Sequence, residues 1–356
     1  MARSGDNAAS AGGSGARSTS ILAVVALSVV LVVALVGVDL LVLSRNDPAR
    51  ALGPHYYMAL GDSLSFGYQP NLDFSAGFAD DIFNDLHFVD VTGVVNYACA
   101  GETTDTFIHG GCVGHFAHHG SYTGAQLTAA VDFLKKEANR GHVSPITLEI
   151  GSNDVLPDWD QFTCTASPNV EIDLARMDAN LTKVILPQLV DALQSRTNAN
   201  NGDLHLLNYY NPYAKECRDS APFVQTLNDH LAADAAQFKI PVVDVYGAFD
   251  QFGNGAGMAN NICTLTWICD TRFHDIHPTT DGYKVIAKAV ELALGLPGMG
   301  PLPGMGVPAP SGALAAPEAA FWRHPAAGAV NMAGAYFPES VISQQRTVKR
   351  MGGQDA

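Results

Sequence analysis

The segment from Tyr56 to Tyr68 restricts the possible fold of this chain more than any other. Residues 56–60 are apolar enough for a buried strand, the pattern breaks at Gly61, and Ser63 follows before the next helical pattern can begin. Ser63 is therefore predicted to lie on a strand-to-helix turn. In an open parallel α/β sheet, such a turn lies at the carboxyl ends of the strands, where ligands bind. Taken alone, the Gly-Asp-Ser-Leu tetrapeptide is equally well explained as a structural turn.

The rest of the chain repeats an alternation of strand and helix patterns. Five strands alternating with helices predict a parallel α/β sheet that is covered on both faces. The strands are expected at residues 56–60, 91–98, 145–150, 204–210 and 241–245. The helices are expected at residues 77–86, 124–139, 171–196 with a kink or break at Pro187, 222–238 and 280–294. Glycines at positions 253, 255 and 257 predict a disulfide-bearing loop that leads to Phe273.

The two ends of the 356-residue chain lack patterns that could bury a core. Residues 1–20 are mostly Gly, Ser, Ala and Arg without apolar periodicity, which predicts a disordered tail. Residues 295–356 are rich in Pro, Gly and Ala, and a second disordered tail is expected there. The folded domain is therefore predicted to span residues 50–294, a length that allows one α/β domain with a substantial core.

Residues 21–43 form an apolar segment that is long enough to cross a membrane. At about 1.5 Å per residue, this segment spans a hydrocarbon core of about 30 Å, and Arg3 and Arg17 precede it. The positive charges place residues 1–20 in the cytoplasm and the domain outside the cell. An uncleaved signal anchor is favoured over a cleaved signal peptide, because no small-x-small cleavage site follows. Either alternative predicts an exported domain.

The cysteine count and the net charge agree with export. An even number of cysteines in an oxidising compartment indicates disulfides, and no Cys-x-x-Cys pattern favours the rival interpretation of a zinc site. Sequential pairing is the working hypothesis among the 15 possible pairings. The net charge of −15 argues against nucleic acid and anionic membrane surfaces as partners, because binding to either needs a basic face. The six cysteines are Cys99, Cys112, Cys164, Cys217, Cys263 and Cys269.

Polar or glycine residues follow three of the predicted strands, and a histidine precedes the last helix. Because parallel strands end at one edge of a sheet, these elements can converge there. They supply what acyl transfer requires: Ser63 as nucleophile, His277 as general base, and donors for a tetrahedral oxyanion. The donors are the backbone N–H groups of Ser63 and Gly101 and the side-chain amide of Asn153. Each residue alone is better explained structurally, as a turn or a helix start.

A loop rich in Gly and His, at residues 109–120, raises the question of a metal ion. His115, His118 and His119 have neither a nearby carboxylate nor an evident helix to hold them. A solvated loop is therefore favoured over a metal site. No metal and no cofactor is expected.

The motifs together resemble those of the GDSL family, also called SGNH hydrolases after their Ser, Gly, Asn and His. Gly61-Asp62-Ser63-Leu64 is similar to the first block, residues 96–101 to the second, Gly151-Ser152-Asn153-Asp154 to the third and His277-Pro278 to the last. The resemblance implies a flavodoxin-like three-layer α/β/α fold with strand order 2-1-3-4-5. It also implies a serine esterase or lipase that acts without metal or cofactor on acyl esters of lipids or glycans. The Gly-x-Ser-x-Gly pattern of another esterase fold is absent.

One position departs from the pattern of that family. An Asp usually stands three residues before the His, but here that position is His274, and Asp275 is only two residues before His277. Asp275 is favoured as the residue that orients His277, and a Ser-His dyad is the alternative. His274 is expected at the surface, and Asp62 and Asp154 are expected to support the nucleophile turn and the oxyanion loop.

The sequence thus predicts an exported serine hydrolase of carboxylic esters. A carbohydrate acetyl-esterase and a lysophospholipase are alternatives within the same family, and acyl-chain choice is expected to depend on the loops at 102–123 and 155–170. From another class, the domain could be a non-catalytic binding module at the cell surface. Loss of Ser63, Asn153 or His277 would indicate such a module, and all three are present.

Overall fold

The computed structural model describes residues 55–87, 91–112, 121–194 and 203–296. The predicted tails, the apolar segment at 21–43 and the three histidines at 115, 118 and 119 lie outside these residues. Within the described ranges, no helix combines the length and the apolar character that crossing a membrane requires.

A five-stranded parallel sheet forms the centre of the domain. Its strands, numbered along the chain, lie in the order β2-β1-β3-β4-β5, which confirms the predicted topology. The strand patterns at 91–98 and 204–210 overestimated their lengths; for example, the N–H of Tyr209 donates to Asn228 Oδ1 instead of to a neighbouring strand. The strands are β1 (Tyr56–Gly61), β2 (Gly93–Asn96), β3 (Val143–Glu149), β4 (Leu204–Leu207) and β5 (Val242–Val243).

Eleven α-helices in the described residues surround the sheet. They include the predicted helices and several short ones at the carboxyl ends of strands. In chain order they are α1 (Ser63–Phe66), α2 (Phe78–Leu86), α3 (Thr104–His109), α4 (Gln126–Lys135), α5 (Ser152–Val155), α6 (Val170–Asn180), α7 (Leu186–Gln194), α8 (Ala221–Gln237), α9 (Val245–Gly255), α10 (Met258–Leu265) and α11 (Thr280–Leu294).

The structure differs from the predicted helices in two places. The pattern at 124–139 is α4 followed by a 3-10 turn at Glu137–Asn139. The pattern at 171–196 is divided into α6 and α7 by a π-helical turn at Leu181–Ile185, which ends two residues before Pro187. Because Pro187 has no N–H to donate, the regular hydrogen bonding of an α-helix cannot continue through it, and the wider turn accommodates the break.

The prediction of a loop around the glycines at 253, 255 and 257 is wrong. This segment forms α9 and α10, and Gly257 lies between them with φ +87°. Met258, Ile262 and Leu265 of α10 are buried at helical spacing. Their apolar period therefore determined the structure, whereas the glycines only mark the boundary between two helices.

A small antiparallel ladder, which the sequence did not predict, pairs Trp159–Asp160 with Thr165–Ala166. The disulfide Cys164–Cys217 ties this ladder to the loop that follows β4. The other disulfides are Cys99–Cys112 and Cys263–Cys269, so the three bridges follow the sequential pairing.

Candidate active site

Ser63 lies at the carboxyl end of β1, on the turn that the sequence predicted. It is the first residue of α1, and Asp62 caps this helix by accepting a hydrogen bond from the N–H of Leu64 at 3.0 Å. Gly61 has φ +128°, and a Cβ at this position would lie 1.8 Å from the carbonyl oxygen of Glu149 in β3. Only glycine fits this close approach. The turn therefore holds Ser63 at the centre of the sheet edge.

His277 is brought to Ser63 by the segment between α10 and α11. Its Nε2 lies 2.8 Å from Ser63 Oγ, and its Nδ1 lies 2.6 Å from Asp275 Oδ1. Tyr210 supports the segment by donating its hydroxyl to the carbonyl of Ile276 at 2.7 Å. The ring of Tyr68 lies 4.6 Å from that of His277, between centroids. Ser63, Asp275 and His277 are each buried to more than nine-tenths.

Asp275 is arranged to orient the imidazole. Although burial favours its neutral form, the charge of His277 and the hydrogen bonds from its ring and its N–H hold the pKa of the Asp275 carboxyl below the ordinary value. The ionised carboxylate accepts a hydrogen bond from the Nδ1–H group of His277, which leaves the lone pair of Nε2 directed at Ser63 Oγ. Side-chain hydrogen bonds thus connect Asp275, His277 and Ser63 in series.

The three expected oxyanion donors lie around one cavity. Ser63, Gly101 and Asn153 all line it, together with His277. Gly101 has φ +84°, and Asn153 follows Gly151, which has φ +119° at the end of β3. Asn153 Nδ2 donates to the carbonyl oxygen of Glu102 at 2.9 Å. This contact fixes the amide and leaves its second N–H available for a ligand.

Two aspartates next to the motif residues connect the loops instead of facing the cavity. Asp62 accepts hydrogen bonds from Ser152 Oγ at 3.0 Å and from the hydroxyl of Tyr209 at 2.8 Å. Asp154 accepts from the N–H and the Oγ1 of Thr104 at 2.8 and 2.6 Å. Burial raises the pKa of Asp154 to about 6. Asp62 thus joins the nucleophile turn to the β3 loop, and Asp154 joins the β3 loop to α3.

The cavity beside Ser63 has mostly apolar walls and a volume of about 80 Å³. The expected loop at 155–170 contributes only its first residues to these walls. The contributions of α8 and of the loop after β4 to these walls were not predicted, because nothing in an amphipathic helix pattern shows that part of the buried face lines a cavity. The apolar lining residues are Leu156, Pro157, Pro212, Phe223, Val224 and Leu227.

Among the described residues, one group has potential metal ligands within reach of one another: Cys99, Glu102 and Cys112. Both cysteines are joined in a disulfide, so they have no thiolate to offer a metal ion. The group therefore does not constitute a metal site.

Comparisons with known proteins identify similar chains. A family model described as GDSL-like Lipase/Acylhydrolase matches residues 57–290. Among solved structures, the acetylxylan esterase Axe2 from Geobacillus stearothermophilus is 15% identical, with 69% of this chain and 96% of that chain covered and a TM-score of 0.43. LAE5, an alpha/beta hydrolase enzyme from the metagenome of Lake Arreo, Spain, is 18% identical, with coverages of 69% and 98% and a TM-score of 0.42. TesA is 18% identical, with coverages of 67% and 98% and a TM-score of 0.40. A search of curated proteins found no match.

Proposed function

Because the chain belongs to the GDSL-like lipase/acylhydrolase family and is thus a carboxylic ester hydrolase, we propose that Ser63, His277 and Asp275 carry out the hydrolysis. The observation that carries the proposal is the continuous line of contacts from Asp275 Oδ1 through His277 to Ser63 Oγ, at 2.6 and 2.8 Å. These contacts supply a nucleophile, a base that can take its proton, and a carboxylate that stabilises the imidazolium.

The reaction proceeds through an acyl-enzyme. Ser63 Oγ attacks the carbonyl carbon while His277 Nε2 takes the hydroxyl proton, and the carbonyl oxygen becomes an oxyanion. His277 then returns the proton to the leaving alcohol as the bond between carbon and the alcohol oxygen breaks. In the second half, His277 deprotonates a water molecule that attacks the acyl carbon. The bond between this carbon and Ser63 Oγ then breaks, His277 returns the proton to Ser63 Oγ, and the carboxylic acid is released.

Stabilisation of the oxyanion in both tetrahedral intermediates is assigned to the N–H groups of Ser63 and Gly101 and to the side-chain amide of Asn153. The location of all three around the same cavity supports this assignment. Donors that are already fixed before the reaction stabilise the developing charge without a cost of reorganisation. The hydrogen bond from Asn153 to the carbonyl of Glu102 provides this fixation for the amide.

The walls of the cavity support one substrate class over another. An acetylated glycan needs hydrogen-bonding partners for its hydroxyl groups, whereas most of the surface beside Ser63 is apolar. The cavity of about 80 Å³ is small and mostly apolar, so it can hold the first carbons of an acyl chain. We therefore favour lipid-type esters whose acyl chain begins in this cavity. Lysophospholipids also belong to this class, with the remainder of their longer acyl chain outside the cavity.

The test is hydrolysis of p-nitrophenyl esters, from acetate to palmitate, by the full-length protein. Ser63→Ala is expected to abolish turnover of every ester. Ser65→Ala is the matched control, since Ser65 lies in the same helical turn, is buried, and has an Oγ without a hydrogen-bond partner among the described residues. Activity that survives in Ser63→Ala would refute the mechanism. No hydrolysis by the folded protein would favour the binding module.

The chain-length profile tests the substrate class separately. A maximum between butyrate and octanoate is expected, because each methylene that enters the cavity contributes about 0.8 kcal/mol until the cavity is full. A maximum at acetate with a steady decline towards longer chains would indicate a deacetylase, and a maximum at palmitate would indicate a longer groove.

We also propose that the domain acts outside the cell, held to the membrane by residues 21–43. The three disulfides support export, because such bridges persist mainly in oxidising compartments. In cells that express the full chain, the domain should be accessible to an added protease and should remain in the membrane pellet at high salt. Recovery of the protein in the medium without residues 21–43 would show a cleaved signal peptide instead.

A further inference from the structure

Glu102 has a buried carboxyl group that the proposed reaction does not use. It directly follows Gly101, and the residue is 1% exposed. Its backbone carbonyl accepts the hydrogen bond from Asn153, and its N–H donates to the carbonyl of Cys99 at 3.0 Å. The backbone of Glu102 therefore contacts the side chain of Asn153 and directly follows Gly101, two of the three groups assigned to the oxyanion.

The side chain of Glu102 is connected through Gln126 to the turn that carries the third group, the N–H of Ser63. Gln126 is fully buried at the start of α4. Its Oε1 accepts the N–H of Gly61 at 2.7 Å, and its Nε2 donates to the carbonyl of Gly61 at 3.0 Å and to Glu102 Oε2 at 2.8 Å. The amide thus pairs with both backbone groups of Gly61, as a neighbouring strand would, two residues before Ser63.

The orientation of this amide is determined by its partners. Because the N–H of Gly61 requires an acceptor, Oε1 must face it, and Nε2 must face the carbonyl of Gly61 and Glu102. Glu102 Oε2 is the acceptor that the remaining hydrogen of Nε2 contacts. A buried amide hydrogen without an acceptor is costly, and a movement of the amide that relieves this cost would disturb its two contacts with Gly61.

We propose that Glu102 is a positioning residue of the hydrolysis: its carboxyl group, through Gln126, sets the position of the Ser63 turn relative to the oxyanion donors at Gly101 and Asn153. This inference rests on the proposed function. Glu102 itself does not touch the substrate, since it does not line the cavity. Its loss is therefore expected to lower kcat and to leave substrate binding nearly unchanged, because the apolar walls that bind the acyl chain are intact.

The test compares Glu102→Leu, which removes the acceptor, with Glu102→Gln, which keeps a carbonyl acceptor of the same shape. Kinetics on p-nitrophenyl butyrate are normalised to the number of acylated Ser63 residues in the initial burst, so that unfolded protein does not count. Glu102→Leu should lower kcat about ten- to hundred-fold, the effect of leaving one buried amide hydrogen without its acceptor, with KM changed less than three-fold. Glu102→Gln should restore kcat to within about three-fold of the unchanged protein.

A second variant, Gln126→Met, removes the same contact from the other side and decides the question if Glu102→Leu does not fold. Because Glu102 and Gln126 act as one unit, the double variant Glu102→Leu/Gln126→Met should lose no more kcat than the worse single variant. Binding of an alkyl boronic acid, which forms a tetrahedral adduct on Ser63, should weaken in parallel with kcat.

Three results would overturn the inference: single variants with unchanged kcat, losses that multiply in the double variant, or a Glu102→Gln variant as impaired as Glu102→Leu. None of them would affect the proposed function, because the dependence of the activity on Ser63 is measured first in the unchanged protein. Absence of that dependence would refute the function itself.

Discussion

Replacing Glu102 by Gln should change the pH dependence of the free energy of unfolding, independently of any catalytic role. Burial raises the pKa of the Glu102 carboxyl, and the charge of Asp62 adds to this effect, whereas hydrogen bonds from neighbours such as Thr106, Gln126 and Tyr122 oppose it. The outcome is a rise from the ordinary value of 4.5 to about 7. At 1.36 kcal/mol per pH unit, this rise corresponds to about 3 kcal/mol.

The direction of the effect follows from which state binds the proton more tightly. Below pH 4.5 the carboxyl is protonated in both the folded and the unfolded protein, and Glu102 is not penalised. Between pH 4.5 and about 7, only the unfolded state releases the proton, so the free energy of unfolding falls as the pH rises. Above about pH 7 the side chain is ionised in both states, and the full loss of about 3 kcal/mol persists.

The assay is urea unfolding of the unchanged protein and of Glu102→Gln at a series of pH values, followed by tryptophan fluorescence with the disulfides intact. Other buried carboxyls with raised pKa values, such as Asp154 and Glu149, are common to both proteins and cancel in the difference. The variant should gain about 3 kcal/mol relative to the unchanged protein from pH 4.5 to pH 8. A difference that stays constant with pH would refute the reasoning, whatever its size.

Further predictions concern the triad, the cavity and the nucleophile turn. Asp275→Asn should lower kcat about ten- to hundred-fold, since it removes a charge-assisted hydrogen bond, while His277→Ala should be as damaging as loss of the serine; an effect of only a few-fold in steady-state kinetics would favour the dyad. Leu227→Phe should reduce kcat/KM on octanoate about ten-fold more than on acetate, because the larger ring fills the cavity; equal effects would place the acyl chain elsewhere. Gly61→Ala should prevent folding, as judged by circular dichroism, because its Cβ would lie 1.8 Å from the carbonyl oxygen of Glu149; a folded variant would contradict the close approach.

The convergence of the candidate catalytic residues could be predicted without knowing a single distance. Ser63, Gly101 and Asn153 each follow a strand of one parallel sheet, and such strands end at the same edge. The strand patterns and the glycines that end them are sufficient for this prediction, and both are local in sequence. They do not determine the lengths of the strands, because a strand ends where its neighbours end.

Contacts between distant polar side chains could not be predicted in the same way. Gln126 stands 24 residues after Glu102 at the start of a helix, where a glutamine is normally solvent-exposed. It is buried against Gly61 at the end of β1 and against Glu102, and both lie far from it in the sequence. The apolar wall that α8 contributes to the cavity could not be predicted for a related reason. An amphipathic pattern shows that a face is buried, but not whether it lines a cavity or packs against other side chains.

The position of Asp275 shows how a departure from the usual spacing can preserve the geometry. His274, which stands where the family usually has Asp, is exposed, has φ +44°, and lies 3.6 Å from Glu216. The chain therefore turns at His274 and directs the following carboxyl back along the backbone. Asp275 Oδ1 accepts both the N–H of His277 at 2.8 Å and Nδ1 of the same residue at 2.6 Å. An aspartate that bonds the N–H two residues later forms a local turn, and this turn requires a spacing of two, not three. One oxygen thus fixes the backbone of His277 and the direction of its ring together, so the two-residue spacing brings the carboxylate to the imidazole.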